Sequence, residues 1–370
     1  MPSEFGHLDE LTMDTAAISE SLQFIIPIIL LLIICITGLI LNFLIILATI
    51  LSKRLQSPTN LFIFSLSLSD LLLCAVPCTF YAYSALYKDF KSGPFCGIAS
   101  SVIHICTLQT LFSFPLIAYN RFVLVVRSRQ RYLRCYTMFN SITMVLGSWV
   151  LAIGVVLIIL FLHPLEFDYY PSKRICVNPA STPAISIMEL CTLVLCFTLA
   201  LRSYIEIYTH LRKATGKATS IPTSNQIRNR KAKVKVTKNM FWVTAVFCVC
   251  CLPITVLRVV DMKAKLVASF WHRMFRILFF ISGVANPLIY AARHQLYKDA
   301  IRSILQCKRP DKIYMDSLRR IAKRSRREKE TRIRTLTTGS SLETGSTDIE
   351  EKNAVNKSTY EMVVTTTVKT

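Results

Sequence analysis

The stretch Cys96–Phe122, CGIASSVIHICTLQTLFSFPLIAYNRF, decides the fold. It opens on a cysteine, runs through mostly apolar residues and ends in Ala118-Tyr119-Asn120-Arg121-Phe122. As a helix it is about 40 Å long at 1.5 Å per residue, enough to cross a hydrocarbon core of about 30 Å. An arginine at the end of such a helix is costly unless it snorkels to the interface or has work there. The rest of the chain reads as the frame that holds Cys96 on one side of a membrane and Arg121 on the other.

That frame is repeated along the chain. Six further apolar runs of membrane-crossing length accompany it, giving spans at 25–51, 59–84, 95–126, 138–162, 183–212, 235–260 and 270–293. Backbone polar groups in lipid must be satisfied within their own segment, so each span is expected to be a helix. Prolines at 27, 77, 115, 253 and 287 are then kinks rather than breaks. The expected fold is an all-α membrane protein, a seven-transmembrane helix bundle with a short amphipathic helix after the seventh span. Residues 1–24 form a short extracellular N-terminus, 25–293 the bundle, 294–307 the interfacial helix and 308–370 a disordered cytoplasmic tail.

A formal net charge of +22 beside 52% hydrophobic residues invites a nucleic-acid reading. The positions of the charges argue against it, because the excess lies in loops and the tail. The loop 52–58 carries Lys53 and Arg54, the stretch 127–137 four arginines, and the segment from Arg212 to Lys238 nine Lys or Arg. Residues 1–24 carry none, and the other three loops two each. The positive-inside rule then puts the N-terminus outside and the C-terminus in the cytoplasm, as an odd number of spans requires. The first 24 residues, with five acidic and no basic side chains, do not read as a signal peptide, so the first span is expected to be a retained anchor. A multi-pass plasma-membrane protein is the expectation, with no nucleic-acid partner.

Of the 13 cysteines, only Cys96 and Cys176 fall in the outer segments, where disulfides persist, and they are expected to be bonded; two free thiols are the alternative. The only Asn-x-Ser/Thr sequon, at Asn356, lies in the tail. After the last span, Leu296, Tyr297, Ala300, Ile301, Ile304 and Leu305 make one apolar stripe, expected to lie on the inner leaflet among membrane lipids. Cys307 at its end is a candidate palmitoylation site. Residues 312–334 are basic enough for anionic lipid, and the Ser/Thr stretch from Thr335 suits kinases.

Polar groups inside the spans carry the functional signal. Asp70 is mid-span, with Asn42, Thr110, Ser282 and Asn286 as candidate partners. They form either a water pocket with a cation or a structural hydrogen-bond knot. Pro253 and Pro287 are candidate hinges. At the outer ends lie His104, Glu189, Arg258, Asp261, Arg273 and Arg276. Arg258 and Arg276 could grip an anion, or Arg258 could pair with Glu189 or Asp261 and only stiffen the bundle.

These features together resemble the rhodopsin-like (class A) G-protein-coupled receptors over nearly all of residues 25–307. The motifs are Gly38-x-x-x-Asn42, Leu66-Ser67-Leu68-Ser69-Asp70, Cys96 with Arg121 25 positions later, Trp149, Cys176, Tyr204, Phe247 with Pro253, and Asn286-Pro287-x-x-Tyr290. The resemblance implies a receptor that binds an extracellular ligand (an anionic small molecule, a lipid or a peptide) and activates heterotrimeric G proteins, without enzymatic activity. It implies arrestin and receptor kinases as further partners. No cofactor is implied beyond an allosteric Na+ near Asp70, and no metal-ligand spacing is present. Asn120, Arg121, Phe122, Tyr204, Lys233 and Tyr290 would face the G protein. Ile103, His104, Thr107, Glu189, Cys251, Arg258 and Arg276 would line the ligand pocket.

The departures sharpen the resemblance. Asn120 stands where the family has an acidic residue, which is similar to melatonin-type and some invertebrate orphan receptors. Cys251, Cys196, Lys233 and Phe90 replace a usual tryptophan, proline, acidic residue and tryptophan. Ile103 at the amine-binding position and Phe280 at the retinal-lysine position argue against aminergic and opsin ligands. Asn120 with Lys233 predicts a loosely held Arg121 and raised basal signalling. A seven-helix transporter or channel, or an arrestin-only atypical receptor, is the alternative.

Overall fold

The computed structural model describes residues 3–86, 94–162, 168–170, 175–177, 182–216, 224–261, 267, 269–308 and 310–311. Seven helices are long and apolar enough to cross a membrane: Ile25–Leu51, Pro58–Ser84, Phe95–Val126, Met138–Leu162, Pro183–Lys213, Phe241–Val260 and Phe270–Arg293. Six of these match the expected spans to within one residue at each edge, and the sixth, expected from 235, begins at Phe241 within a longer helix.

Burial ranks the spans. In the third, 67% of the most apolar window is buried, against 17% in the fourth. Span three therefore is the axis of the bundle and span four its most peripheral helix, with Phe139, Val150 and Phe161 facing outward. Outward-facing Ile and Leu recur along spans one, four and five, an arrangement suited to lipid rather than water. The axis is tied sideways by hydrogen bonds. Gln109 Nε2 and Trp149 Nε1 each donate to Ser65 Oγ at 3.0 Å, joining spans two, three and four.

Two helices run past their spans. The first, α1, is continuous over Ser3–Leu51, so the segment expected to be a separate N-terminus is helical from Ser3. The helix carrying span six covers Ser224–Val260. Span two, by contrast, is not one α-helix. It divides into α2 (Pro58–Leu73), a π turn at Cys74–Cys78 and α3 (Thr79–Leu86). Pro77 explains the break: it has no N–H, and its ring clashes with a carbonyl one α-turn back. Widening the turn relieves that clash, and Thr79 Oγ1 donates to the Cys74 carbonyl at 3.0 Å. The sequence predicts a kink there, and the structure makes it a π turn.

Two short strands, β1 (Asp168–Tyr170) and β2 (Ile175–Val177), pair antiparallel between spans four and five. This hairpin is the one β element among the described residues. Strand β2, which carries Cys176, packs against the helix of span three.

At the opposite end, His294 interrupts the chain with extended backbone (φ −96°, ψ 105°) and the interfacial helix Gln295–Leu305 follows. It ends in a Schellman motif: Cys307 N–H donates to the Ile304 carbonyl at 2.9 Å and Lys308 N–H to that of Ser303 at 2.8 Å. Cys307 takes the left-handed position, φ 53°. The expected apolar stripe divides in two. Tyr297 and Ala300 are buried against the bundle beside Ser303, while Leu305 is 68% exposed. Asp311 then folds back on the turn after span one, accepting from Ser52 Oγ at 2.9 Å and from Lys53 N–H at 3.0 Å. The rest of the segment expected to be a disordered tail lies outside the described residues.

Candidate functional site

At the Arg121 end, polar side chains gather around span three. Arg121 is 7% exposed, and its Nε has no hydrogen-bond partner. The phenols of Tyr132, Tyr204, Tyr290 and Tyr297 lie near enough to interact with its charge. Asn120 does not touch that charge. Its Oδ1 accepts from Thr59 Oγ1 at 2.9 Å, and Thr59 in turn meets Tyr132 OH at 3.1 Å. Tyr132 stacks on Tyr136 (5.4 Å), whose ring edges onto Phe62 (6.3 Å). A polar chain thus runs from span three through span two to the short helix Arg129–Cys135. Phe122 is buried under the Arg127 guanidinium, 5.3 Å from ring centre. Lys233 lies on the Ser224–Val260 helix, but its side chain falls outside the described residues.

His294 closes the base of this cluster. It packs edge-on to Tyr297 at 5.2 Å, and Tyr297 OH meets Thr49 Oγ1 at 3.2 Å. Burial, with the nearby Arg121 charge, lowers the His294 pKa to about 4, so the imidazole is neutral at physiological pH. Its Nδ1 is buried without a partner. Burial also pushes the Tyr297 phenol up, keeping it protonated.

In mid-bundle, Asn286 Nδ2 donates to Asp70 Oδ2 at 2.8 Å, as the sequence predicts. The other three expected partners are engaged elsewhere. Asn42 Nδ2 donates to the Gly38 and Gly283 carbonyls at 2.9 and 2.8 Å. Thr110 contacts Ser69 Oγ at 3.3 Å, and Ser282 donates to the Phe279 carbonyl at 2.6 Å. Backbone carbonyls compete successfully for Asn42 and Ser282, and a neighbouring hydroxyl takes Thr110. Asn42 Oδ1 and Asn286 Oδ1 remain buried acceptors without donors. Carboxylate and amide oxygens are the ligand type that a small hard cation takes. Pro287 lies inside the seventh span and Pro253 inside the sixth, both within unbroken helix. Tyr290, one turn beyond Pro287, is wholly buried.

At the Cys96 end, the charges pair closely. His104 Nδ1 lies 2.7 Å from Glu189 Oε1, and Arg258 Nη1 lies 3.1 Å from Glu189 Oε2. This carboxylate, 1% exposed, therefore joins spans three, five and six. Arg258 makes the pairing with Glu189 that the sequence offered as one of its two readings. His272 Nε2 meets Asp261 Oδ2 at 2.6 Å, joining the ends of spans six and seven. Arg276 lies over the Tyr81 ring at 4.7 Å. Ile103, Thr107 and Cys251 are buried on the same side, and Thr107 Oγ1 donates to the Ile103 carbonyl at 2.7 Å. Cys96 is disulfide-bonded; the side chain of Cys176 lies outside the described residues. Cys307 is a free, exposed thiol.

Sequence reasoning missed Thr59, Tyr132, His272, His294 and Asp311. The two histidines were signalled by being polar at the rims of an apolar run. Thr59 and Tyr132 gave no such sign, because each becomes functional only through a partner on another helix.

The chain is similar to several receptors over most of its length. It is 22% identical to galanin receptor 2b of Danio rerio over 306 residues, covering 80% of this chain and 76% of that one. Neuromedin-U receptor 2 of Homo sapiens matches at 22% over 288 residues (73% and 69%), and melatonin receptor type 1B of Homo sapiens at 21% over 271 residues (71% and 74%). Residues 41–290 match the family described as 7 transmembrane receptor (rhodopsin family). With that match covering most of the bundle and the polar constellations falling on successive spans, the chain belongs to the rhodopsin family of G-protein-coupled receptors.

Proposed function

We propose that this receptor reads an extracellular peptide at its Cys96 end and transmits to a heterotrimeric G protein at its Arg121 end. The carrying observation is the division of labour along span three: clamped charges at one end and a buried arginine among tyrosines at the other. The positive-inside bias supports an outside N-terminus and a cytoplasmic C-terminus in the plasma membrane. A peptide is favoured over a small anion for two reasons. Arg258 is already neutralised by Glu189, and relatives named for galanin, neuromedin U and a QRFP-like peptide are among the matches.

Ligand binding shifts the population toward a state in which span six moves about Pro253. Arg121, Tyr204 and Tyr290 then border a crevice that accepts the C-terminal helix of a G-protein α subunit. Asn120, Phe122 and Lys233 edge that surface. A Na+ ion beside Asp70, Asn42 and Asn286 would favour the closed arrangement, and Cys176 is the partner assigned to Cys96. Arrestin and receptor kinases would act on the Ser/Thr-rich tail, and acylation of Cys307 would anchor the interfacial helix.

A G-protein dissociation panel, run first without ligand and then with a library of secreted peptides, tests the reading. A response in at least one G-protein class that Arg276→Ala lowers at least tenfold in potency supports it. An Arg276→Ala dose-response curve unchanged from wild type sinks the pocket assignment, and silence across the panel at normal surface expression sinks the coupling.

A further inference from the structure

Span one presses on span two where the π turn lies. A Cβ built on Gly38 would meet Cys74 Sγ at 2.4 Å, so any larger residue would have to displace that sulfur. Two thiols face each other across the crossing. Cys35 Sγ lies 3.4 Å from the Cys74 carbonyl and 3.3 Å from Thr79 Oγ1. Cys78 Sγ lies 3.6 Å from the Leu31 carbonyl, one turn before Cys35. Each sulfur thus rests on the other's helix, Cys35 beside Thr79, the neighbour of Cys78, and Cys78 one turn below Cys35. Cys74 turns its sulfur away, toward Gly38 and Gly283. All three cysteines are free and buried. Cys35 is about 15 Å along the first span from Ile25, and Cys78 about 9 Å from the matching end of the second, at 1.5 Å per residue. The pair thus lies at the depth of the hydrocarbon layer, with Cys35 the less buried of the two.

We propose that Cys35 and Cys78 form an oxidisable dithiol, a modification site at which a membrane-dissolved organic hydroperoxide makes a disulfide locking span one to the π turn of span two. One thiol attacks the terminal peroxide oxygen, giving a sulfenic acid and releasing the alcohol. The second thiol attacks that sulfur and releases water. Two thiols and one hydroperoxide yield one disulfide, one alcohol and one water; the sulfurs are oxidised and the peroxide oxygens reduced. The link fixes the only π turn among the described residues, and with it the segment carrying Tyr81, on whose ring Arg276 rests.

The test uses the full-length receptor in phosphatidylcholine nanodiscs treated with cumene hydroperoxide. Free thiols are then alkylated and the protein digested without reduction. A Cys35–Cys78 linked peptide is expected in wild type and in Cys74→Ser, at least tenfold above its level in untreated protein, and absent from Cys35→Ser and Cys78→Ser. Phenylarsine oxide, which needs two thiols on one arsenic, gives a second readout on unmutated protein: a single adduct spanning both peptides. Sulfinic or sulfonic acid on Cys35 or Cys78 with no link, or arsenic bound elsewhere while both stay free, overturns the proposal. Signalling enters neither readout, so the result stands apart from the identity of the ligand.

Discussion

The two ends of span three handle charge in opposite ways. At the Cys96 end, Glu189 has one oxygen on His104 and the other on Arg258, and Asp261 holds His272. Each carboxylate there is used. At the Arg121 end, Arg121 Nε, Asn120 Nδ2, Tyr290 OH and His294 Nδ1 are buried without hydrogen-bond partners. Such groups are expensive to leave unmade, and they persist where a second arrangement satisfies them. One end is clamped, and the other holds polar capacity in reserve for a moving helix or an arriving partner.

Breaking the clamp should give the largest effect. Glu189→Ala leaves His104 and Arg258 facing each other with no carboxylate between them. Loss of one member of a buried pair typically costs about 3–5 kcal/mol. The variant should lose most of its surface expression and unfold at a markedly lower temperature in detergent. Glu189→Gln still accepts from Arg258 through its carbonyl and can donate its amide to an unprotonated His104 Nδ1, but carries no charge, and should lie between the two. A melting curve for Glu189→Ala that overlays wild type would show that the three-span link does not hold the bundle.

The reserve at the other end predicts a pH dependence of middle size. His294 is held neutral, its pKa lowered to about 4 chiefly by burial, with Arg121 adding repulsion. In the unfolded chain it takes up a proton near its ordinary 6.5. The folded state therefore keeps its full stability above pH 6.5 and loses it as pH falls from 6.5 toward 4. At pH 5 the loss is about 2 kcal/mol from this group. His294→Phe keeps a ring against Tyr297 and removes the titration. Its melting temperature should fall less than that of wild type between pH 7.5 and 5, and parallel curves would remove His294 from the account.

The sequence made the spans legible because length and apolarity decide them without tertiary detail. Asp70–Asn286 and the proximity of Arg121 to Tyr204 and Tyr290 were legible for a related reason: a polar group deep in an apolar run can face only the bundle interior. Register across helices was not legible. Thr110 and Ser282 have the right depth for Asp70, yet a one-turn choice of acceptor sends them to Ser69 and Phe279. The π turn was half-legible, since Pro77 marks a break but not its geometry. Asp311 was illegible, because its partners are a hydroxyl and a backbone N–H some 260 residues earlier in the chain.

The smallest expected effect is at Asn120, and it bears most directly on the reserve. Asn120 supplies no charge to hold Arg121 and spends its oxygen on Thr59. An aspartate there would keep the Thr59 bond and add a carboxylate beside a buried guanidinium, and Lys233→Glu would add a second from span six. Charge-assisted bonds of this kind contribute about 1.5–3 kcal/mol when well buried, and less in a cluster that stays mobile. A net gain of about 1 kcal/mol for the closed state lowers ligand-free nucleotide exchange about fivefold. The measurement is basal exchange on a purified G protein by wild type and by the Asn120→Asp, Lys233→Glu double variant at matched receptor density. Equal or higher exchange in the double variant would mean that Thr59 and Tyr132, rather than charge on Arg121, set the resting state; Thr59→Val should then raise basal exchange where the double variant does not lower it.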